Sequence, residues 1–420
     1  MNEKVLLRNI DTPGSHNLAA YQTAGGYRSV ASALADFTPG ELIELVKTAG
    51  LRGRGGAGFP TGVKWGFVPR DSGKPVYLCC NADEAEPGTF KDRALMENDP
   101  HMVIEGILIA AYAIGATTTY VYIRGEYTVS IERMEAAIAE AYSNGLLGEN
   151  ILNSGFSHDV HVHRGAGAYI CGEETALLES IEGRRAQPKF KPPFPAVSGL
   201  YGFPTVINNV ETLSCLPHIV ERGADWFNSI GPERSPGPKL YCVSGLVRKP
   251  GLYELPMGTS LRELLDEHAG GPRSGRLKAV IPGGVSAPMI PANDIDIGMD
   301  FDSLAAAGSM LGSAGVIVLD DTACIVRVAL RIMEFFNHES CGKCTPCREG
   351  NAWAAKVLRR LEAGRGQRED LDQLAFLCDG IFGNSFCALG DAAAWSLGAA
   401  LKHFRDEFER HINDGKCPYH

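Results

Sequence analysis

The chain has 420 residues, 45% hydrophobic and 21% charged, with a formal net charge of −10. That length exceeds one ordinary core and predicts roughly two to four domains, while the acidic balance excludes nucleic acid as the main partner. No apolar run reaches the length of a bilayer-crossing helix, which excludes direct membrane insertion. The start, Met1-Asn2-Glu3-Lys4, has neither a signal peptide's apolar core nor an Arg-rich transit pattern, which points to the cytoplasm of a prokaryote or to a mature form. In such a reducing compartment, twelve cysteines point to buried thiols and metal ligands rather than disulfides.

Residues 1 to about 36 show weak periodicity and many turn formers, and predict an irregular arm. Thr38-Pro39-Gly40-Glu41 then reads as a capping box with proline at the first helical position, followed by a helical apolar face and Gly50 as the terminator. The helix feeds residues 50–65, Gly-Leu-Arg-Gly-Arg-Gly-Gly-Ala-Gly-Phe-Pro-Thr-Gly-Val-Lys-Trp. Gly53, Gly55 and Gly58 spell G-x-G-x-x-G, yet a dinucleotide fingerprint needs a strand before it and a helix opening within it. Here a helix precedes and Pro60 interrupts, so that label fails. The glycines allow close approach of a ligand, and successive N–H groups can form an anion-binding nest. The loop therefore reads as a cradle for a phosphate and a flat ring.

Pro75 to Cys80 predicts a buried strand running into Asn81-Ala82-Asp83-Glu84-Ala85-Glu86-Pro87-Gly88. A helix is predicted from Asp99-Pro100 to Gly115, a strand at 117–123, a helix at 130–142, a strand at 159–163 and a helix at 173–181. Strands alternating with helices imply a parallel sheet whose ligands sit at the carboxyl ends of the strands, where the turns at 83–86 and 165–172 fall. Residues 184–205, rich in proline and basic residues, predict a long functional loop. Beyond a Pro/Gly linker at 231–238, strands at 240–244, 278–281 and 315–319 with a helix at 260–268 form an α+β module. Helices at 322–336, 348–362, 369–377 and 391–411 complete the chain as a bundle.

The strongest chemical signal is Ser340-Cys341-Gly342-Lys343-Cys344-Thr345-Pro346-Cys347, whose C-x₂-C-x₂-C spacing suits an iron–sulfur cluster better than zinc. Cys387 lies in a turn between helices and is the favoured fourth ligand; Cys378 reads as core, and Cys417 as part of a frayed tail. Cys79, Cys80, Cys171, Cys215, Cys242 and Cys324 read as small buried hydrophobes. Asp83, Glu84 and Glu86 form either a solvated loop or a ligand-binding turn. Glu173 and Glu174 either complement a helix dipole or accept hydrogen bonds from ribose hydroxyls, where they would repel a 2′-phosphate. Asn208 and Asn209 suit a heterocycle edge or a phosphate, and His158, His161 and His163 read as structural.

The glycine loop, Asn81 to Thr89, Gly165 to Glu174, Asn208 to Thr212 and the cysteine motif resemble the NADH-binding flavoprotein subunit of bacterial respiratory complex I, in order over nearly the whole chain. Flavin subunits of NAD-linked hydrogenases and formate dehydrogenases share these motifs but usually carry extra segments for which this chain has no room. The resemblance implies FMN held by Gly53, Arg54, Gly55, Gly56, Lys64, Asn81, Asp83, Glu84, Tyr169, Gly172, Glu173, Asn208 and Asn209. It implies NADH stacked on Phe59, Phe67 and Phe194 with Glu86 and Glu174 on its polar groups, and a [4Fe–4S] cluster on Cys341, Cys344, Cys347 and Cys387. Ala85 stands where some relatives have serine or methionine, and so offers the flavin no side-chain hydrogen bond. Residues 245–254 are similar to the soluble-ligand-binding β-grasp domain.

The implied organisation is a multidomain α/β chain. An N-terminal arm, helix and loop (1–65) precede a parallel-sheet, Rossmann-like FMN/NADH domain (66–235). A β-grasp domain (236–320) and a helical bundle with the cluster (321–420) follow. The implied activity is hydride transfer from NADH to FMN and single-electron transfer to the cluster toward quinone, with no obligatory catalytic acid or base. The implied partners are a thioredoxin-like [2Fe–2S] subunit and a large iron–sulfur subunit, in the peripheral arm of an inner-membrane complex. The rival readings are the diaphorase subunit of a soluble NAD-linked hydrogenase or formate dehydrogenase, and a ligand-binding scaffold with a structural cluster.

Overall fold

The computed structural model describes residues 3–69 and 73–419; Met1 and Asn2, read above for targeting, lie outside them. The chain forms two compact units, Met1–Ala85 with Phe90–Leu240 and Glu254–Gly258, and Glu86–Thr89 with Tyr241–Tyr253 and Thr259–His420.

The first unit opens with helices α1 (Leu18–Thr23), α2 (Arg28–Asp36), α3 (Pro39–Thr48) and α4 (Thr61–Trp65). Its sheet is β1 (Tyr77–Ala82), β2 (Thr118–Ile123), β3 (Asp159–Arg164) and β4 (Thr205–Asn209), parallel throughout, in the order β3-β2-β1-β4. Its connections carry α5 (Lys91–Asn98), α6 (Pro100–Ile114), α7 (Thr128–Ser143) and α8 (Glu174–Ile181). The short helices α9 (Val210–Ser214), α10 (Leu216–Arg222) and α11 (Ala224–Asn228) follow β4. Cys79 pairs with Tyr120 on one side and Ile207 on the other, as a strand inside a parallel sheet must. Helix α6 has Pro100 in its first turn, ends on Gly115 at φ +70°, and is buried on nearly every face, which its continuous apolar sequence requires.

The expected irregular arm at 1–36 is instead partly helical, and its order comes from distant partners. The Glu254 carboxylate accepts hydrogen bonds from the backbone N–H groups of Val5, Leu6 and Leu7 at 2.8–2.9 Å. Glu105, inside α6, accepts from Tyr27 N at 2.9 Å, Val30 N at 3.1 Å and the Tyr21 hydroxyl at 2.5 Å, which caps α2 from another helix. Local periodicity carries no trace of such caps. The capping box at Thr38 is present with both of its bonds; Asp99 stands at the expected N-cap of α6, but its side chain accepts from Asn9 Nδ2 at 2.8 Å instead of making a capping bond.

The second unit contains a five-stranded sheet of β5 (Pro238–Gly245), β6 (Gly251–Pro256), β7 (Leu277–Ile281), β8 (Ile290–Pro291) and β9 (Gly315–Asp320), in the order β6-β5-β9-β7-β8. Strands β5 and β9 are parallel, while β7 runs antiparallel to both β9 and β8. The helix α12 (Leu261–Glu263) continues as a π-helical turn, Leu264–His268, and α13 is Phe301–Ala306. The bundle is α14 (Ile325–Glu339), α15 (Thr345–Glu362), α16 (Glu369–Ile381), α17 (Ala388–His403) and α18 (Arg405–Asp414). The single helix expected at 391–411 is thus two, broken at Phe404. Cys417 is buried rather than frayed, at 7% exposure. No helix among the described residues is long and apolar enough to cross a membrane.

Candidate functional site

Strands β1, β2 and β3 progress in one direction across the first sheet, and β4 returns to the opposite side of β1. The gap beyond the carboxyl ends of β1 and β4 is therefore the topological switch point, where open α/β sheets bind ligands. The glycine loop closes there. Gly53 N donates to Phe59 O at 2.9 Å and Thr61 N to Leu51 O at 2.8 Å, so residues 53–59 protrude as a pinned loop. At Gly55 a Cβ would stand 3.0 Å from the Cβ of Asn209, so the loop touches the end of β4 through its backbone. Gly56, at φ +144°, faces open space, with nothing within 4 Å of where a Cβ would be.

Several expected site residues meet at this place. Asn81 donates from Nδ2 to Gly172 O at 2.9 Å and accepts from Asp83 N at 3.1 Å, tying the end of β1 to the 3₁₀ turn Tyr169–Gly172. Trp65 Nε1 donates to Asn208 Oδ1 at 2.9 Å, and Lys64 Nζ donates to Ile207 O at 2.5 Å, so α4 docks on β4. Burial lowers the pKa of Lys64, and Glu174 and Lys191 act on it electrostatically, which brings these three groups into one neighbourhood. Lys191 Nζ lies 3.2 Å from Glu173 Oε1 and 2.9 Å from Glu174 Oε1. Glu173 caps α8, its Oε2 accepting from Thr175 N and Ala176 N, so the dipole-complementing role is met. Phe59, Phe67 and Phe194 are all about half exposed, and the rings of Phe59 and Phe67 lie 6.2 Å apart. A cavity of about 520 Å³ runs along α8 between Thr175, Leu178, Lys189 and Tyr201, and none of the expected site residues lines it.

Other expected residues point elsewhere. The Arg54 guanidinium is fully buried beneath the loop and donates from Nη2 to Pro236 O at 2.7 Å; its backbone N–H donates to Thr212 Oγ1 at 2.8 Å. Glu84 turns toward the first turn of α5, its carboxylate accepting from Asp92 N at 2.8 Å and Arg93 N at 3.0 Å. Burial and the charge of Asp92 push that carboxyl up to about 7. The side chain of Asn209 caps α9 and donates to Asp92 Oδ2 at 2.6 Å. Glu86 belongs to the second unit, where it accepts from Ser286 N and Oγ, each at 2.8 Å. His158 is buried between Thr119 Oγ1 and Ala116 O, and burial lowers it to about 4, which fits its structural reading.

Beneath the loop lies a charge network for which the sequence reading had no role. Lys91 and Lys239, both buried, bind Glu211 Oε2 at 3.0 and 2.8 Å, and Lys91 also pairs with Asp92 at 2.7 Å. Burial works against the Glu211 carboxylate, but Lys239, Lys91 and Arg54 outweigh it and hold the group at about 2. Burial lowers Lys239 to about 8 despite Glu211. Three buried cations, Arg54, Lys91 and Lys239, thus stand against the carboxylates of Asp92 and Glu211, with the pKa of the Glu84 carboxyl raised by burial beside them. One signal was available: Lys91 opens α5, and a cation in the first turn opposes the helix dipole unless an acid holds it.

In the second unit the cysteine triplet leads into α15. Cys344 and Cys341 act electrostatically on Cys347, which receives hydrogen bonds from Asn351 Nδ2 at 3.4 Å and from the Ser340 hydroxyl at 3.3 Å. Phe386 N donates to Cys344 Sγ at 3.4 Å, which places Cys387, the N-cap of α17, beside the triplet. Donors aimed at sulfur favour thiolates, the state that iron ligation needs. Cys378 sits on the apolar face of α16 with its thiol pushed up to about 12 by burial.

Three family models match, described as the Nuo51 FMN-binding domain over residues 46–218, the SLBB domain over 239–318, and the NADH-ubiquinone oxidoreductase-F iron–sulfur binding region over 327–411. The chain is 70% identical over 421 residues to the F subunit (form 2) of NADH-quinone oxidoreductase in Rhizobium meliloti, covering 100% of both chains. It is 54% identical to the corresponding F subunit of Mycobacterium bovis, covering 99% of this chain and 95% of the relative. A crystal structure of NAD⁺-reducing [NiFe]-hydrogenase superposes with a TM-score of 0.86 at 36% identity, covering 99% of this chain and 67% of that one. The chain belongs to the family of NADH-quinone oxidoreductase F subunits, with an FMN-binding domain and a [4Fe–4S] region.

Proposed function

We propose that the pinned loop at the β1/β4 switch point holds the FMN phosphate through the backbone of Gly55 and Gly56, while the N–H groups of Gly53 and Arg54, bonded to Phe59 O and Thr212 Oγ1, fix the loop's shape. The chain is the NADH-oxidising subunit of an NADH-quinone oxidoreductase. When bound, FMN takes a hydride from NADH and passes electrons singly to the [4Fe–4S] cluster. The observation that carries the reading is the glycine loop meeting the end of β4 by backbone contact while Gly56 stays open. The cradle fits an anion, since fully buried cations stand beneath it.

In this reading Asn81, Asp83, Tyr169 and Gly172 edge the flavin ring, with the Asn81–Gly172 bond fixing the wall. Lys64 supplies a nearby cation, and Asn208 holds Trp65, and with it α4, in place. Glu84, Glu173 and the Asn209 side chain act as positioning residues, through α5, α8 and α9 respectively. NADH stacks on Phe59, Phe67 and Phe194. Glu174 takes the ribose hydroxyls, and its charge disfavours a 2′-phosphate. Glu86, anchored by Ser286, is the residue assigned by the resemblance to the nucleotide's polar groups. Cys341, Cys344, Cys347 and Cys387 ligate the cluster.

The chain is one component of a multi-subunit enzyme. The proposed partners are a thioredoxin-like [2Fe–2S] subunit and a large iron–sulfur subunit in the peripheral arm. Full coverage at 70% identity favours the quinone-linked enzyme over the hydrogenase diaphorase, whose chain is only 67% covered. If the cradle grips phosphate, the flavin-free chain binds FMN at least ~100-fold more tightly than riboflavin, the scale of two charge-assisted hydrogen bonds. Fluorescence titration with both flavins measures this. Equal affinities would rule out the cradle.

A further inference from the structure

We infer that the second unit carries a structural zinc site, sharing no residue with the four proposed cluster cysteines, built from Cys324, Glu362, His411 and Cys417. One ligand atom from each of the four lies within 4.8 Å of all the others. The two cysteines and His411 are buried, and Glu362 is nearly so, with its side chain 14% exposed.

The separations have the size of a coordination tetrahedron. Zinc bonds of about 2.3 Å to sulfur and about 2.0–2.2 Å to nitrogen or oxygen give ligand–ligand edges of roughly 3.3–3.8 Å at tetrahedral angles. Cys324 Sγ lies 3.3 Å from His411 Nε2 and 3.8 Å from Glu362 Oε2, and His411 Nε2 lies 3.5 Å from Glu362 Oε2. The histidine–glutamate distance is long for a charge-assisted hydrogen bond and right for two ligands of one ion.

The surrounding contacts orient His411 and Glu362 for ligation. His411 Nδ1 lies 2.7 Å from the carbonyl oxygen of Glu407. A carbonyl only accepts, so Nδ1 carries the proton and Nε2 turns its lone pair to the centre, as metal-bound histidines do. Arg327 occupies Glu362 Oε1 at 2.7 Å, which leaves Oε2 for the ion. Without a cation, Nε2 and Oε2 would share the Cys324 thiol as a donor, 3.3 and 3.8 Å away. Two thiolates and one carboxylate around Zn²⁺ leave one negative charge, which Arg327 offsets.

The site's place in the fold indicates what the ion does. Cys324 caps α14, Glu362 ends α15, His411 lies on α18, and Cys417 comes from the tail beyond it. The backbones of Gly364 and Gly415 approach so closely that a Cβ on Gly364 would stand 2.0 Å from Gly415 O, and this crossing carries Cys417 to the cluster. Four protein ligands close the sphere, which marks a structural site, not a catalytic one. Zinc here would staple the chain's end to the bundle.

The test uses the full chain purified with its flavin and iron–sulfur cluster. Elemental analysis finds about one zinc per chain, and zinc-edge X-ray absorption shows sulfur at about 2.3 Å and nitrogen or oxygen at about 2.0–2.1 Å, two of each. Cys417→Ser and His411→Gln each lower zinc at least ~10-fold, since each removes one of four ligands, while iron and flavin contents stay at wild-type levels. Wild-type protein dialysed against buffered zinc that holds no zinc would overturn the proposal. So would zinc retained by both variants, or a Cys324–Cys417 disulfide in the native protein.

Discussion

Glu211→Gln is expected to destabilise the protein by about 3–5 kcal/mol, the range seen when one partner of a buried ion pair is removed. The carboxylate is fully buried and binds Lys239 with both oxygens, at 3.0 and 2.8 Å, while holding Lys91 and accepting from Leu240 N. Neutralising it takes the carboxylate from Lys239, which keeps the Leu240 carbonyl, and leaves Lys91 paired with Asp92. In a protein whose total stability is of order 5–15 kcal/mol, this is a large share. For a unit of this size it corresponds to a melting temperature lower by roughly 6–20 °C. The double variant Glu211→Gln with Lys239→Met removes charge from both sides and should recover most of the loss, because hydrophobic replacement of a buried pair is often neutral. Calorimetry of the two variants decides: a single variant within about 1 kcal/mol of wild type would show that solvent already screens the network.

The second large effect is loss of the cluster in Cys387→Ala. The Phe386 N–H bond to Cys344 Sγ fixes the turn that carries Cys387 next to the triplet. Removing that thiolate takes away one of four ligands. The variant should keep its flavin and reduce an artificial two-electron acceptor from NADH while losing the cluster's EPR signal and electron delivery to quinone. An undiminished EPR signal would pass the fourth position to another thiol. Cys378 is the nearest alternative in sequence, on the apolar face of α16.

The alternating strands and helices read between Pro75 and Ile181 were legible because each carries its own periodicity and stops, whereas α5 (Lys91–Asn98), with little apolar periodicity, was not read. The capping box at Thr38 was legible for the same reason. The cysteine triplet was legible because its chemistry is local. What was hidden depends on long chain separations. Order in residues 5–7 comes from Glu254, and the cap of α2 comes from Glu105. The buried network joins Lys91, Glu211 and Lys239 across more than a hundred residues, and composition gives no hint that these charges face one another. Arg54 shows the limit of motif reading. It stands in the loop as a cation for a phosphate, yet its side chain is buried against Pro236 and its backbone N–H is bonded to Thr212, which leaves the proposed cradle only its field. Cys417 looked frayed because the contact that buries it comes from α15 and α18, not from its neighbours in sequence.

Electron flow from NADH to the flavin, and from the flavin to the chain's own cluster, is the centre of this mechanism. Anaerobic titration of the fully loaded protein tests it most directly, with absorption and EPR followed together. NADH is expected to bleach the flavin band and raise the reduced-cluster signal, while the same concentration of NADPH leaves both nearly unchanged, as the role proposed for Glu174 requires. A flavin band unmoved by NADH in protein that holds both FMN and iron would contradict it.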